Sequence, residues 1–156
     1  VNIPKGVDTG TRIRLSGEGE AGLNGAPAGD LYVFINIKQH PIFIRENANL
    51  HIKVPVSMVD AALGTTIEIP TPDGKKSSTK IPEGTQNGQT LRLKGKGMPV
   101  VNRHNHGDLM ITIQVEIPKK LTKEQKATLQ KFQAETASKN YSETESFMDS
   151  LKKFWG

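Results

Sequence analysis

The sequence predicts a mainly β protein: two tandem, small, sandwich-like units with at most one short helix each, followed by a helical C-terminal segment. Three observations predict it. A repeat recurs at an offset of 78 residues, apolar residues alternate with period two inside each copy, and the chain changes character at Pro118.

The repeat sets VNIPKGVDTGTRIRLSGEG, from Val1, above TKIPEGTQNGQTLRLKGKG, from Thr79. Ile3, Pro4, Gly6, Gly10, Arg14, Leu15, Gly17 and Gly19 return as Ile81, Pro82, Gly84, Gly88, Arg92, Leu93, Gly95 and Gly97. Gly29-Asp30-Leu31 returns as Gly107-Asp108-Leu109, and Ile35 as Ile113. With Asn24 returning as Asn102, thirteen identities over 37 ungapped positions mark a duplicated unit. A block at residues 41–78 precedes the second shared half, whereas nothing precedes Val1. With Val rather than Met at position 1, the chain is expected to begin inside its first unit. The expected divisions are 1–40, 41–118 and 119–156.

Within the first copy, Thr11 to Leu15 alternates, and Leu31, Val33, Ile35 and Ile37 give one strand an apolar face. The second copy repeats this with Leu91 and Leu93, then Leu109, Ile111, Ile113, Val115 and Ile117. Each IPxG element is expected to end a short strand, because proline removes a ladder donor and the glycine permits a turn. The Gly-rich loops then join two strands of one sheet. The intervening block adds strands at Leu50–Val56 and Thr66–Ile69 and a turn at Pro72-Asp73-Gly74. Between them Ser57 and Asp60 have capping-box spacing and Gly64 is a natural stop, which predicts one short helix.

Beyond Pro118, Thr122 and Gln125 form a second capping-box pattern, predicting a helix to about Ser138 with Leu129 and Phe132 facing one way. Phe147, Leu151 and Phe154 then stand at i, i+4 and i+7, with Trp155 beside them. Such a terminus needs cover. The residues alone leave two coverings open: the chain's own sheet, or a second copy of the protein.

Composition excludes several classes. There is no cysteine, so disulfides, thiolate metal sites and cysteine nucleophiles are absent from this chain. No apolar run approaches the 18 or so residues of a membrane span, and no signal-peptide pattern opens the chain. The net charge of +5 comes from scattered lysines and arginines without interleaved aromatics, which gives no footprint for nucleic acid.

Gly17-x-Gly19-x-x-Gly22 spells a dinucleotide loop. The following Leu23-Asn24-Gly25-Ala26-Pro27-Ala28-Gly29 is too rich in breakers to open the required helix, and Glu18 and Glu20 would repel a pyrophosphate. The duplicate keeps only Gly95-x-Gly97, so the shared feature is a turn. His104-x-His106 lies in the loop-like stretch NRHNHG with no acidic partner, and no metal site is expected there. No Gly-x-Ser-x-Gly elbow occurs. Asp30 and Asp108, each after a glycine at a strand start, read as turn residues bonding nearby backbone N–H groups. No enzyme is predicted.

With the repeat, HPIFIRENANL, PVSMVDAALGTTIEIPTPDG, LRLKGKGMP and above all VDTGTRIRLSGEGEAG with GAPAGDLYV, the chain resembles the C-terminal half of bacterial DnaJ, the J-domain co-chaperones of the DnaK-type chaperone. Beyond Lys120 the match is loose. The resemblance implies two β domains that bind unfolded or partly folded client polypeptides in the cytoplasm, and a helical C-terminal segment that makes a homodimer. It implies that zinc-binding CxxCxGxG repeats interrupt the first domain upstream of Val1, so no cofactor is expected in this chain. The J domain is also absent, and His40-Pro41-Ile42 is not its HPD signature. The chain alone is therefore expected not to stimulate ATP hydrolysis by the DnaK partner.

The family's client groove corresponds here to Val1, Ile3 and Val33, with part of its lining ahead of Val1. Tyr32 and Phe34 point to the opposite face and either add client-binding surface or merely cover the sheet. The residues placed at the dimer contact are Leu121, Leu129, Phe132, Phe147, Leu151, Phe154 and Trp155. The competing expectation is a structural and dimerisation scaffold whose client contacts lie upstream.

Overall fold

Both shared halves of the repeat fold as antiparallel strand pairs, as their alternation predicts. The computed structural model describes all residues, Val1–Gly156. In chain order its strands are β1 (Arg12–Leu15), β2 (Leu31–Phe34), β3 (Ile44–Glu46), β4 (Asn49–Ser57), β5 (Thr65–Pro70), β6 (Lys76–Ile81), β7 (Thr90–Leu93) and β8 (Leu109–Glu116). Helix α1 (Met58–Leu63) follows β4, and α2 (Lys123–Glu135) and α3 (Ser142–Trp155) end the chain. Two compact units result, Val1–Ile117 and Pro118–Gly156.

In the first unit, β1 and β2 pair with Ile13 opposite Val33 and Leu15 opposite Leu31. The second copy makes the same pair from β7 and β8, with Leu91 opposite Ile111 and Leu93 opposite Leu109. There the sheet continues in the order β3-β4-β8-β7. Its centre is parallel: β4 runs beside β8 from Leu50 opposite Leu109 to Ser57 opposite Glu116. A parallel pair needs a long crossover, and α1 with the hairpin β5–β6 lies within it.

That crossover supplies the other wall of the core. Ile52 and Val56 on β4 and Leu109, Ile111 and Ile113 on β8 pack with Ala61 of α1, Ile69 of β5 and Ile81 of β6. Ile81, Leu109, Ile111 and Ile113 are completely buried. Burial of a side chain of this size stabilises by about 1.5–3 kcal/mol. The Ser57 hydroxyl accepts the Asp60 N–H at 3.1 Å to cap α1, and Gly64, at φ 81°, ends it.

The first copy departs from its duplicate at the start. Val1–Pro4 align with Thr79–Pro82, yet they form no strand. Thr79–Ile81 are held in β6 by pairing with β5, and no residue of this chain lies 78 positions before β5.

In the second unit Thr122 caps α2 by a reciprocal pair: its hydroxyl accepts the Gln125 N–H at 3.1 Å, and the Gln125 side chain accepts the Thr122 N–H at 2.8 Å. The helix stops at Glu135, three residues short of the expected end, because Thr136 adopts extended backbone and its N–H closes the last turn. Neither α2 nor α3 buries a residue. No helix is long and apolar enough to cross a membrane.

Candidate functional site

The strand β2 is the focus of the expected site. Ile35, just beyond it, donates to the Thr11 carbonyl at 2.9 Å and accepts the Gly10 N–H at 3.0 Å. Backbone groups alternate sides along a strand, so Val33 also faces β1, while Tyr32 and Phe34 aim their N–H and C=O groups at the opposite edge. Within this chain that edge has no partner strand, since β1 and β2 form a two-stranded sheet. The corresponding edge of β8 is covered by β4.

Exposure follows this difference. Leu31 is 44% exposed, whereas its duplicate Leu109 is fully buried. Tyr32 and Phe34 are exposed on one face, and the Arg12 guanidinium lies 5.5 Å from the Tyr32 ring centroid, where it shields that ring in part. Val33 is half-buried on the other face against Ile13. Val1 and Ile3 are exposed and pair with no strand, so the structure does not bring them onto the ladder of Val33.

The turn at each strand start is tied by a carboxylate. Asp30 accepts the Gly17 N–H at 3.1 Å and the Arg14 Nε–H at 2.7 Å. Asp108 accepts the Gly95 N–H at 2.9 Å and the Arg92 Nε–H at 2.6 Å, and its own N–H donates to the Asn49 side chain at 2.8 Å. The bond from the glycine N–H, then the arginine, holds each carboxyl below the usual aspartate range. The backbone bond matches the turn role read from the sequence. The arginine partner was missed there, although Arg14 and Arg92 recur at the same offset as the aspartates and carried the signal.

The two loops are packed differently. A Cβ on Gly107 would overlap the Ala48 carbonyl between β3 and β4, and one on Gly97 would lie 2.6 Å from the same oxygen. In the first copy Gly29 has ample room, its nearest heavy atom being the Glu20 carbonyl oxygen at 3.9 Å.

In the second unit, Phe132 on α2 and Phe147, Phe154 and Trp155 on α3 are exposed, while Leu121, Leu129 and Leu151 are half-buried. Phe147, Leu151 and Phe154 lie on one helix at the predicted spacing. No three His, Asp or Glu side chains converge as a cation site.

Comparison with known proteins places this geometry. The DnaJ C terminal domain family model matches residues 1–118. The chain is 52% identical to the chaperone protein DnaJ of Xanthobacter autotrophicus over 155 residues, covering 99% of this chain and 41% of that protein. It is 54% identical to that of a Ruegeria species and 53% to that of Pelagibacter ubique, again over 99% of this chain and 40% and 41% of theirs. The chain thus spans about two fifths of the length of these relatives, and with its duplicated β units and helical tail it belongs to the DnaJ C-terminal domain family.

Proposed function

We propose that this chain is a client-polypeptide-binding and homodimerising region of a DnaJ-type co-chaperone, holding unfolded proteins for transfer to a DnaK-type chaperone. Residues 1–40 belong to a first client-binding β domain, 41–118 form a second, and 119–156 form the dimerising helices. The reading includes a cytoplasmic location and a zinc module and J domain supplied by other parts of a longer protein.

The observation that carries the client role is the aromatic surface of β2. Tyr32 and Phe34 stand exposed on one face of the strand, where the duplicate has Met110 and Thr112. Exposed aromatic side chains of this kind can take up the apolar residues that an unfolded polypeptide presents. The exposed aromatic positions on α3 support self-association, because an apolar helix face gains by being covered. Two client sites on one dimer raise apparent affinity for a client that spans both.

The test is Phe34→Ser. Serine removes the exposed ring and leaves the backbone ladder to β1 intact. Binding of a reduced, unfolded protein, followed by fluorescence anisotropy, is expected to weaken while the fold persists. A second reading, a structural and dimerisation scaffold whose client contacts lie upstream, draws on the second copy, where the matching Met110 and Thr112 are half-buried. It requires the chain to bind no unfolded protein, or to bind it equally well with Ser at 34.

A further inference from the structure

The first copy meets the second through Arg45. This residue is the centre of β3, at the outer edge of the four-stranded sheet, and pairs with Leu50 of β4. Its side chain, only 16% exposed, reaches back to the turn after the first IPxG element. Nη1 donates to the Val7 carbonyl and Nη2 to the Gly6 carbonyl, both at 2.9 Å, while Nε donates to the Asn47 carbonyl at 2.7 Å. The Asp8 carboxylate lies 3.6 Å away and balances the charge. A guanidinium presents its N–H groups in a rigid planar fork, so bonding two consecutive carbonyls sets an angle as well as a distance.

Two further observations fall on the same turn. Gly6, at φ +90°, is pressed against the β7–β8 connection: a Cβ there would overlap the Pro99 carbonyl and lie 2.8 Å from the Val101 nitrogen. Its duplicate Gly84 has nothing within 4 Å. Val7 is buried between half-buried Gly6 and Asp8, although it belongs to no part of the main core. The turn is therefore seated on the second copy by backbone contact, with one side chain holding it.

We propose that Arg45 is the latch that sets the orientation of the β1–β2 sheet relative to the four-stranded sheet. Without it the Gly6 and Val7 carbonyls lose their partner, and the joint between the copies becomes a hinge. This inference stands apart from client binding, since it concerns how the two sheets are held and not what either one binds.

The absence of cysteine permits a direct test in the 156-residue chain. Spin labels at Glu18→Cys and Lys76→Cys span the joint, and labels at Lys53→Cys and Lys76→Cys lie within the second copy. Labelled chain is diluted with unlabelled chain so that distances between molecules drop out. With Arg45→Ala the spanning pair is expected to lose its single narrow distance peak, while the internal pair keeps its own. Arg45→Lys, a point charge without the fork, is expected to fall between. An unchanged spanning distribution overturns the proposal. Loss of both peaks also overturns it, because Arg45 would then hold β3 and the second copy together instead of the joint.

Discussion

Arg92 and Asp108 are joined across the base of the second Gly-x-Gly loop, Nε to Oδ2 at 2.6 Å, and Arg14 with Asp30 repeats the pair at 2.7 Å. The duplication has kept a three-part tie of arginine, aspartate and glycine N–H. The copies differ in what surrounds it: the Asp30 side chain is 24% exposed and the Asp108 side chain 11%.

Acid should release both ties. Each carboxyl is held below its ordinary value of 3.8, so its contribution is fully present above that pH and is lost as pH falls through the lowered folded value. Asp108→Asn should lower the thermal midpoint at pH 7, and Asp30→Asn should lower it less. Circular-dichroism melts between pH 7 and 2 should show the gap between wild type and Asp108→Asn closing below pH 3.8. A gap that stays constant through that range would contradict the assignment.

Alanine at two equivalent glycines should have unequal effects. Neither Gly29 nor Gly107 has positive φ, so the difference is steric. Gly107→Ala drives a methyl into the Ala48 carbonyl and should cost about 1–3 kcal/mol, the usual range for overpacking. Gly29→Ala meets open space and should change stability by less than about 0.5 kcal/mol in urea titration.

Core truncation should follow the same asymmetry. Ile111→Ala empties a site with no solvent exposure and should cost about 2–5 kcal/mol. Val33→Ala, at the matching place on half-buried β2, should cost less than half as much. Equal losses in chemical denaturation would mean that β2 is packed as tightly as β8.

If the helices make the proposed dimer, cutting the chain after Pro118 should leave the unit Val1–Ile117 folded and weaken self-association, as read by sedimentation. A dimer that survives the cut would place the contact in the β units. In the intact chain, Thr122→Ala removes the reciprocal cap and should destabilise α2 by about 1 kcal/mol, seen as helical signal lost at lower temperature.

Much of this was legible because the repeat exposes local rules twice. Alternation located β1, β2, β7 and β8, and capping spacing located the starts of α1 and α2. The pairing of β4 with β8 was not legible, since parallel neighbours leave no turn between them to read. The three-residue strand β3 was missed for a related reason: Ile44–Glu46 is too short to show a period, and its pairing with β4 defines it. Val1 and Ile3 were assigned to the client groove by the family resemblance; in this chain they form no strand. Arg45 gave no signal, because the carbonyls it holds in the first copy are 38 and 39 residues away.

The parallel pairing of β4 with β8 has a consequence for the order of assembly. Asn49 and Asp108, bonded at the start of that pairing, are 59 residues apart in the chain. Contacts of such separation require a long loop to close first, and they slow folding accordingly. The hairpins β3–β4 and β5–β6 can form from neighbouring residues as synthesis proceeds. A ribosome paused before Leu109 would therefore hold a nascent chain with β4 bare along one side, awaiting the last strand to emerge.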